Sequence, residues 1–136
     1  MKFSRSTTYG LRALANLVLA KADDSSRVKS LKIIAKEEKA SLKFLEKLFS
    51  QLKKAGIVSS VRGINGGYYL SKSADKVKLL EALDALGEKT VIFKCVNRDG
   101  KITCGKSAKC GAVPVLQKVQ TAINKSLRKM TLEDLV

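Results

Sequence analysis

The sequence predicts a mainly α fold with one small β-hairpin, and three observations predict it. Apolar residues recur at intervals of three and four in five separate stretches, which is the period of a helix with one face buried. The stretches are punctuated by Ser, Asp and Gly at positions that cap or stop helices. Glycine is concentrated at 63–67 and 100–111, and the first cluster lies between two β-branched or aromatic runs.

The first helix follows Ser6-Thr7, which supply an N-cap oxygen, and Leu11, Leu14, Ala15, Val18 and Ala22 form its stripe before Asp23-Asp24-Ser25-Ser26 stops it. Ser30 opens a short second helix through Leu31-Lys32-Ile33-Ile34-Ala35-Lys36. About three residues later Ser41 caps a third, 42–52, in which Leu42, Leu45, Leu48, Phe49 and Leu52 share one face and Lys43, Glu46, Lys47 and Ser50 the other. Gly56 then ends the helix at a position that favours the left-handed conformation. Two helices so closely spaced describe a helix-turn-helix. Ile57 to Arg62 alternates as a strand, Gly63-Ile64-Asn65-Gly66-Gly67 turns the chain, and Tyr68-Tyr69-Leu70 returns it. A hairpin directly behind a helix-turn-helix makes a winged helix.

Leu79, Leu80, Leu83 and Leu86 mark a fourth helix closed by Gly87. A cysteine-bearing loop without periodicity follows. Val113, Leu116, Gln120, Ile123 and Leu127, with Val119 alongside, mark a long last helix, about 112–129. Its apolar stripe is long for so small a chain to cover, so it is expected to pair two copies of the chain, a core helix of the single chain being the alternative. The expected organisation is a DNA-binding domain at 1–75, followed at 76–136 by a linker helix, the cysteine loop (95–110) and the dimerisation helix.

Among 136 residues, 27 Lys and Arg face 12 Asp and Glu, giving a net charge of +15 and a pI near 9.9. That balance points to a polyanion, with nucleic acid ahead of a membrane surface. With 45% hydrophobic residues and a mean hydropathy of −0.05, the chain can bury a core. No apolar run approaches the ~20 residues needed to span a bilayer, and no secretory leader is recognisable, so a cytoplasmic protein is expected. There is no histidine, which removes His-based acid–base and nucleophilic catalysis; an enzyme is not expected.

The outer face of 42–52, with Ser41 at its cap, is the candidate reading head. A major groove admits a helix, where Lys43 and Lys47 can donate to guanine or phosphate and the Glu46 carboxylate can accept from a cytosine amine. A carboxylate facing phosphates is costly unless it reads a base, so Glu46 is the more specific clue. Arg62, at the hairpin tip, suits a narrow minor groove. Gly63, Gly66 and Gly67 close the turn and also let the backbone approach a sugar-phosphate wall.

Cys95, Cys104 and Cys110 are separated by eight and five residues, with no Cys-x-x-Cys pair, so a zinc ribbon is disfavoured. Three thiols among glycines (Gly100, Gly105, Gly111) can converge on one centre, and Lys94, Arg98, Lys101, Lys106 and Lys109 favour their thiolate forms. Thiolates suit iron–sulfur clusters, soft metals or oxidation, and the residues alone do not choose among these.

Lys2-Phe3-Ser4, Tyr9 to Leu14, Ser41 to Leu52, Ala55 to Gly63, Gly66 to Leu70 and Thr131 to Leu135 together resemble the Rrf2 family of bacterial transcription regulators. The Arg-Gly-x-x-Gly-Gly-Tyr wing, beginning at Arg62, is its most specific motif. The resemblance implies a homodimer on a pseudo-palindromic double-stranded operator. Lys43, Glu46 and Lys47 would be its base readers, Arg62 would enter the minor groove, and the last helix would dimerise. Cluster-binding members carry three cysteines in this loop, so Cys95, Cys104 and Cys110 are implied ligands of a 2Fe–2S or 4Fe–4S cluster. The fourth ligand departs from the pattern. Val113 stands where one type of member has histidine and Thr8 where another has aspartate, leaving Asp99, Asp84, Glu81, an exogenous thiol or water. A thiol-based sensor, a partner-responsive regulator without a cluster, an iron–sulfur electron carrier and a charge-driven non-specific binder are the alternatives.

Overall fold

The computed structural model describes residues 2–22, 27–103, 105 and 110–136. Five α-helices and one two-stranded antiparallel sheet follow in the order α1 (Arg5–Ala22), α2 (Leu31–Glu38), α3 (Leu42–Lys54), β1 (Val58–Val61), β2 (Gly67–Leu70), α4 (Leu79–Ala85) and α5 (Val113–Lys129). By packing they belong to two compact units. Residues 2–88 and 130–136 form the larger, and residues 89–129 the smaller. By compact packing the C-terminal tail, 130–136, belongs with the larger unit.

The larger unit is built on α1. Its cap is Ser4, whose Oγ accepts from the Thr7 amide at 3.2 Å, two residues ahead of the expected Ser6-Thr7. Thr7 is instead fully buried and donates its hydroxyl to Glu88. The buried face of α1 runs through Ala13, Leu14, Leu17 and Val18, one step round from the expected stripe, with Leu11 and Ala15 half-buried. The shift has a visible cause: Gly10 faces Leu86, and a Cβ there would lie 2.6 Å from its side chain.

Ser30 and Ser41 cap α2 and α3 as expected, accepting from the amides of Lys32 and Phe44. Leu45, Leu48, Phe49 and Leu52 of α3 are at most 1% exposed and fill the core with Leu14, Leu17, Ile34 and Val58. Gly56 ends the helix at φ +75, and the Ile57 amide reaches back to the Leu52 carbonyl. The hairpin pairs Val58 with Leu70 and Val61 with Gly67, while Lys29 adds a bridge to Tyr68 on the other edge. Leu132, fully buried in the tail, completes the core, and its amide bonds the Val77 carbonyl. This is a winged helix.

In the smaller unit α5 begins with Pro114 in its first turn, where the missing N–H costs nothing. Its inner face is polar. Gln120, fully buried, accepts from the Ile92 amide at 2.9 Å and donates to the Thr90 carbonyl at 2.9 Å and to Asn124 at 3.1 Å. Asn124 in turn donates to the Arg98 carbonyl. Gln120 was expected within an apolar stripe; it is the pin that seats residues 90–98 on the helix. Among the described residues, no helix is long and apolar enough to cross a membrane.

Candidate nucleic-acid interface and cysteine loop

The amphipathicity that buries one side of α3 leaves the other open. Ser41, Lys43, Glu46 and Lys47 are all exposed, and among the described residues Lys43, Glu46 and Lys47 have neither hydrogen-bond nor ion-pair partners. Glu46 and Lys43, one turn apart, do not pair. The three side chains are therefore not tied into the fold, and the face is free to meet a groove.

The wing projects from the same unit. Arg62 and Gly63 are exposed at its tip, Gly63 takes φ +116, and Ile64 is 105% exposed. The Gly66 amide closes the turn on the Gly63 carbonyl at 3.0 Å. Gly66 and Gly67 are half-buried and have their own packing reasons. A Cβ at Gly66 would lie 2.3 Å from the Val61 carbonyl oxygen, and one at Gly67 2.3 Å from that of Lys29. Ser30, Lys32, Leu42, Glu46, Ile64 and Tyr68 line the groove between the wing and the two helices.

A further feature went unseen in the sequence. Tyr9 and Phe44 pack edge to face at 5.9 Å, and the Arg5 guanidinium lies 5.6 Å from the Tyr9 ring and 5.9 Å from that of Phe44. With Lys39 and Ser41 they line a depression at the N-terminus of α3. Two cations beside helix-terminal amides give the depression a chemistry that suits an anion. Arg5 and Tyr9, four apart on one helix, carried a local signal; Phe44, from another helix, could join them only through the fold.

Glu88 closes the larger unit against the start of α1. Burial pulls its pKa upward, but hydrogen bonds from Thr7 and Ser4 outweigh this and hold it below the ordinary carboxylate range.

The cysteine loop is more regular than its sequence implied. Asn97 Oδ1 accepts from the amides of Asp99 and Lys101, Gly100 takes φ +81, and Val96 bridges Ile102. The Thr103 amide donates to the Cys95 carbonyl at 2.9 Å. Cys95 is thus half-buried on a small turn-and-bridge beside buried Val96, and Cys110 is exposed. Cys104 lies outside the described residues. Among the described residues, no group of three or more His, Cys, Asp or Glu is gathered as a metal site. Val113 is buried, Thr8 donates to the Ser4 carbonyl, Asp99 lies 3.8 Å from Arg128, and Glu81 and Asp84 belong to α4. The thiols fit a thiolate-ligated cluster in kind.

The whole of residues 3–136 matches the Rrf2 family, described as iron-dependent transcriptional regulator. The regulator IscR of Photorhabdus laumondii is 36% identical over 103 residues; the match covers 76% of this chain and 61% of that protein. Among solved structures, T. potens IscR superposes at a TM-score of 0.71 with 28% identity, covering 99% of this chain and 85% of the other. CymR, the global cysteine regulator of B. subtilis, superposes at 0.77 with 26% identity, covering 99% and 95%. These relatives are transcription regulators and not enzymes. The chain belongs to the Rrf2 family of winged-helix transcription regulators.

Proposed function

We propose that the protein binds a specific pseudo-palindromic operator as a homodimer and reports iron–sulfur or thiol status through Cys95, Cys104 and Cys110. The observation that carries the DNA-reading half is the unpartnered outer face of α3, with Lys43, Glu46 and Lys47 exposed above a fully buried apolar face. In this reading α3 enters the major groove, Glu46 selects a base by accepting from its amine, and Lys43 and Lys47 donate to guanine or phosphate. Ser41 and the Arg5–Lys39 depression hold the adjoining phosphate. Arg62 enters the minor groove, with Gly63, Gly66 and Gly67 keeping the wing backbone slim.

Leu116, Val119, Ile123 and Leu127 of α5, none of them fully buried in the single chain, are the proposed dimer seam. Operator half-sites lie ~34 Å apart or a multiple of that, so a change in the pairing of two α5 helices alters the fit of two α3 helices together. Cys95, Cys104 and Cys110 would hold a 2Fe–2S or 4Fe–4S cluster, which supplies redox and ligand-exchange chemistry when bound. The Gln120 and Asn124 bonds then carry the state of the loop to α5.

A second reading, direct oxidation of the thiols, is favoured by the likeness to the cysteine regulator CymR and by the exposure of Cys110. One experiment separates the two. Protein purified without oxygen is assayed for iron, sulfide and visible absorption, then footprinted on candidate operators with and without the chromophore. A coloured, iron-bearing protein whose footprint depends on the chromophore supports the cluster. Iron-free protein whose footprint changes on mild oxidation supports the thiols, and protein with no defined footprint refutes operator recognition.

A further inference from the structure

The smaller unit holds ten Lys and Arg against a single acidic residue, Asp99, a formal charge of +9. The larger unit, which carries the reading helix, holds seventeen against eleven, or +6. The greater excess thus sits where DNA reading does not explain it, and it is not evenly spread. Helix α5 has three faces: the polar seam of Gln120 and Asn124, the apolar strip proposed for dimerisation, and a basic strip. The basic strip places Lys118, Lys125 and Lys129 along one side at intervals of seven and four. The last two of these, with Arg128 of the same helix and Arg98 of the facing loop, surround a groove of about 590 Å³ floored by Thr121 and Asn124.

We propose that this groove is a binding site for a small anion bearing phosphoryl groups, with two or more negative charges. Its volume lies within the ~300–1,000 Å³ of ordinary ligand sites. Four cations converge on it from two elements, which suits a compact polyanion; a nucleic-acid backbone presents single charges in a convex row. Arg98 is held in place, since its Nε donates to Thr90 Oγ1 at 3.1 Å and its carbonyl accepts from Asn124. Lys125 and Lys129 have no hydrogen-bond or ion-pair partner among the described residues. The single local acid competes weakly. Asp99 stands 3.8 Å from Arg128, both side chains are more than 60% exposed, and such a pair yields readily to a better anion. Occupation would also relieve the repulsion among the four cations, so binding and stability rise together.

The test is calorimetric titration of the full chain with inorganic pyrophosphate at about 0.15 M KCl. Saturable binding at one site per chain, with Kd below roughly 1 mM, is expected. The double variant Lys125→Glu/Lys129→Glu and the single variant Arg98→Ala should each weaken it at least tenfold, while Lys72→Glu, on the other unit, should leave it unchanged. A milder pair, Lys125→Gln/Lys129→Gln, with thermal melts of every variant, separates loss of the site from loss of the fold. Wild-type protein that shows no saturable binding, or charge-reversed protein that binds equally well, overturns the proposal. So does a wild type indifferent to pyrophosphate whose affinity for duplex DNA falls tenfold on reversal, because the groove would then serve a nucleic-acid backbone. None of these outcomes depends on the reading assigned to α3 and the wing.

Discussion

Replacing Glu46 with alanine separates base reading from charge attraction, because the two effects have opposite signs. Glu46 is exposed mid-helix with no intramolecular partner among the described residues, so the change leaves folding within a few tenths of a kcal/mol. If its carboxylate accepts from one base, losing it removes about 1–3 kcal/mol of discrimination at that base pair, a ~5–150-fold loss of preference. Its general electrostatic effect is smaller and opposite. A carboxylate about 8 Å from a phosphate in water is repelled by roughly 0.5 kcal/mol, less with screening, so removing it raises non-specific affinity about twofold at most. Competition anisotropy with a set of duplexes, each altered at one operator position, measures both quantities. The variant should bind non-operator DNA slightly better while ceasing to discriminate at one position in each half-site. If every positional preference survives, Glu46 does not face a base and the docking of α3 is wrong.

Other substitutions test the frame around this face. Gly67→Ala sets a Cβ 2.3 Å from the Lys29 carbonyl oxygen, a backbone atom that cannot swing aside, and should cost about 1–3 kcal/mol by thermal melt and weaken DNA binding through the wing. Gln120→Leu leaves the Ile92 amide and the Thr90 carbonyl unpaired, at about 1–3 kcal/mol for each buried group, and should sharply speed exchange of the Ile92 amide hydrogen. Glu88 has a lowered pKa in the folded state, so its contribution to stability is present above the unfolded value of about 4.3 and is lost as pH falls through the folded one. Melting temperatures of wild type and Glu88→Gln should therefore converge in acid and part as pH rises above that range; a constant difference would refute the linkage.

Much of the winged helix was legible because it depends on local chemistry. Serine caps at Ser30 and Ser41, the α3 stripe from Leu45 to Leu52 and the glycines at 56 and 63 are each read from a few neighbouring residues and occur as expected, while Leu42, expected in the same stripe, is only half-buried. The errors arose where a distant residue decided the outcome. Thr7 resembles a cap but lies inside, because Glu88, eighty-one residues away, takes its hydroxyl. The α1 face turns because Gly10 admits Leu86. Gln120 fits an apolar period by position, yet its amide is satisfied by backbone from 90 and 92. At the candidate interface, Lys43, Glu46, Lys47 and Arg62 were legible as exposed polar residues on patterned elements. The Arg5–Tyr9–Phe44 cluster was not, since two helices must first pack to form it.

The polar seam of α5 bears on how a change at the cysteine loop would reach the reading helices. An apolar seam would seat residues 90–98 loosely, since greasy contacts tolerate small slides. Amide-to-backbone bonds do not: Gln120 and Asn124 are satisfied in one register, and displacing the loop breaks several bonds together. With each bond worth about 0.5–1.5 kcal/mol net, the loss of two or three matches the 1–3 kcal/mol typical of a coupling between sites. Under the proposed function, such a coupling would change operator affinity by ~5–150-fold, ample for regulation. Cys95 lies three residues from Ile92 and three from Arg98, whose backbone groups these amides hold. Chemistry at that thiol therefore acts on a segment whose position on α5 is fixed by directional bonds. A response of the helix through such bonds would be two-position, not graded, because each bond is either made or broken.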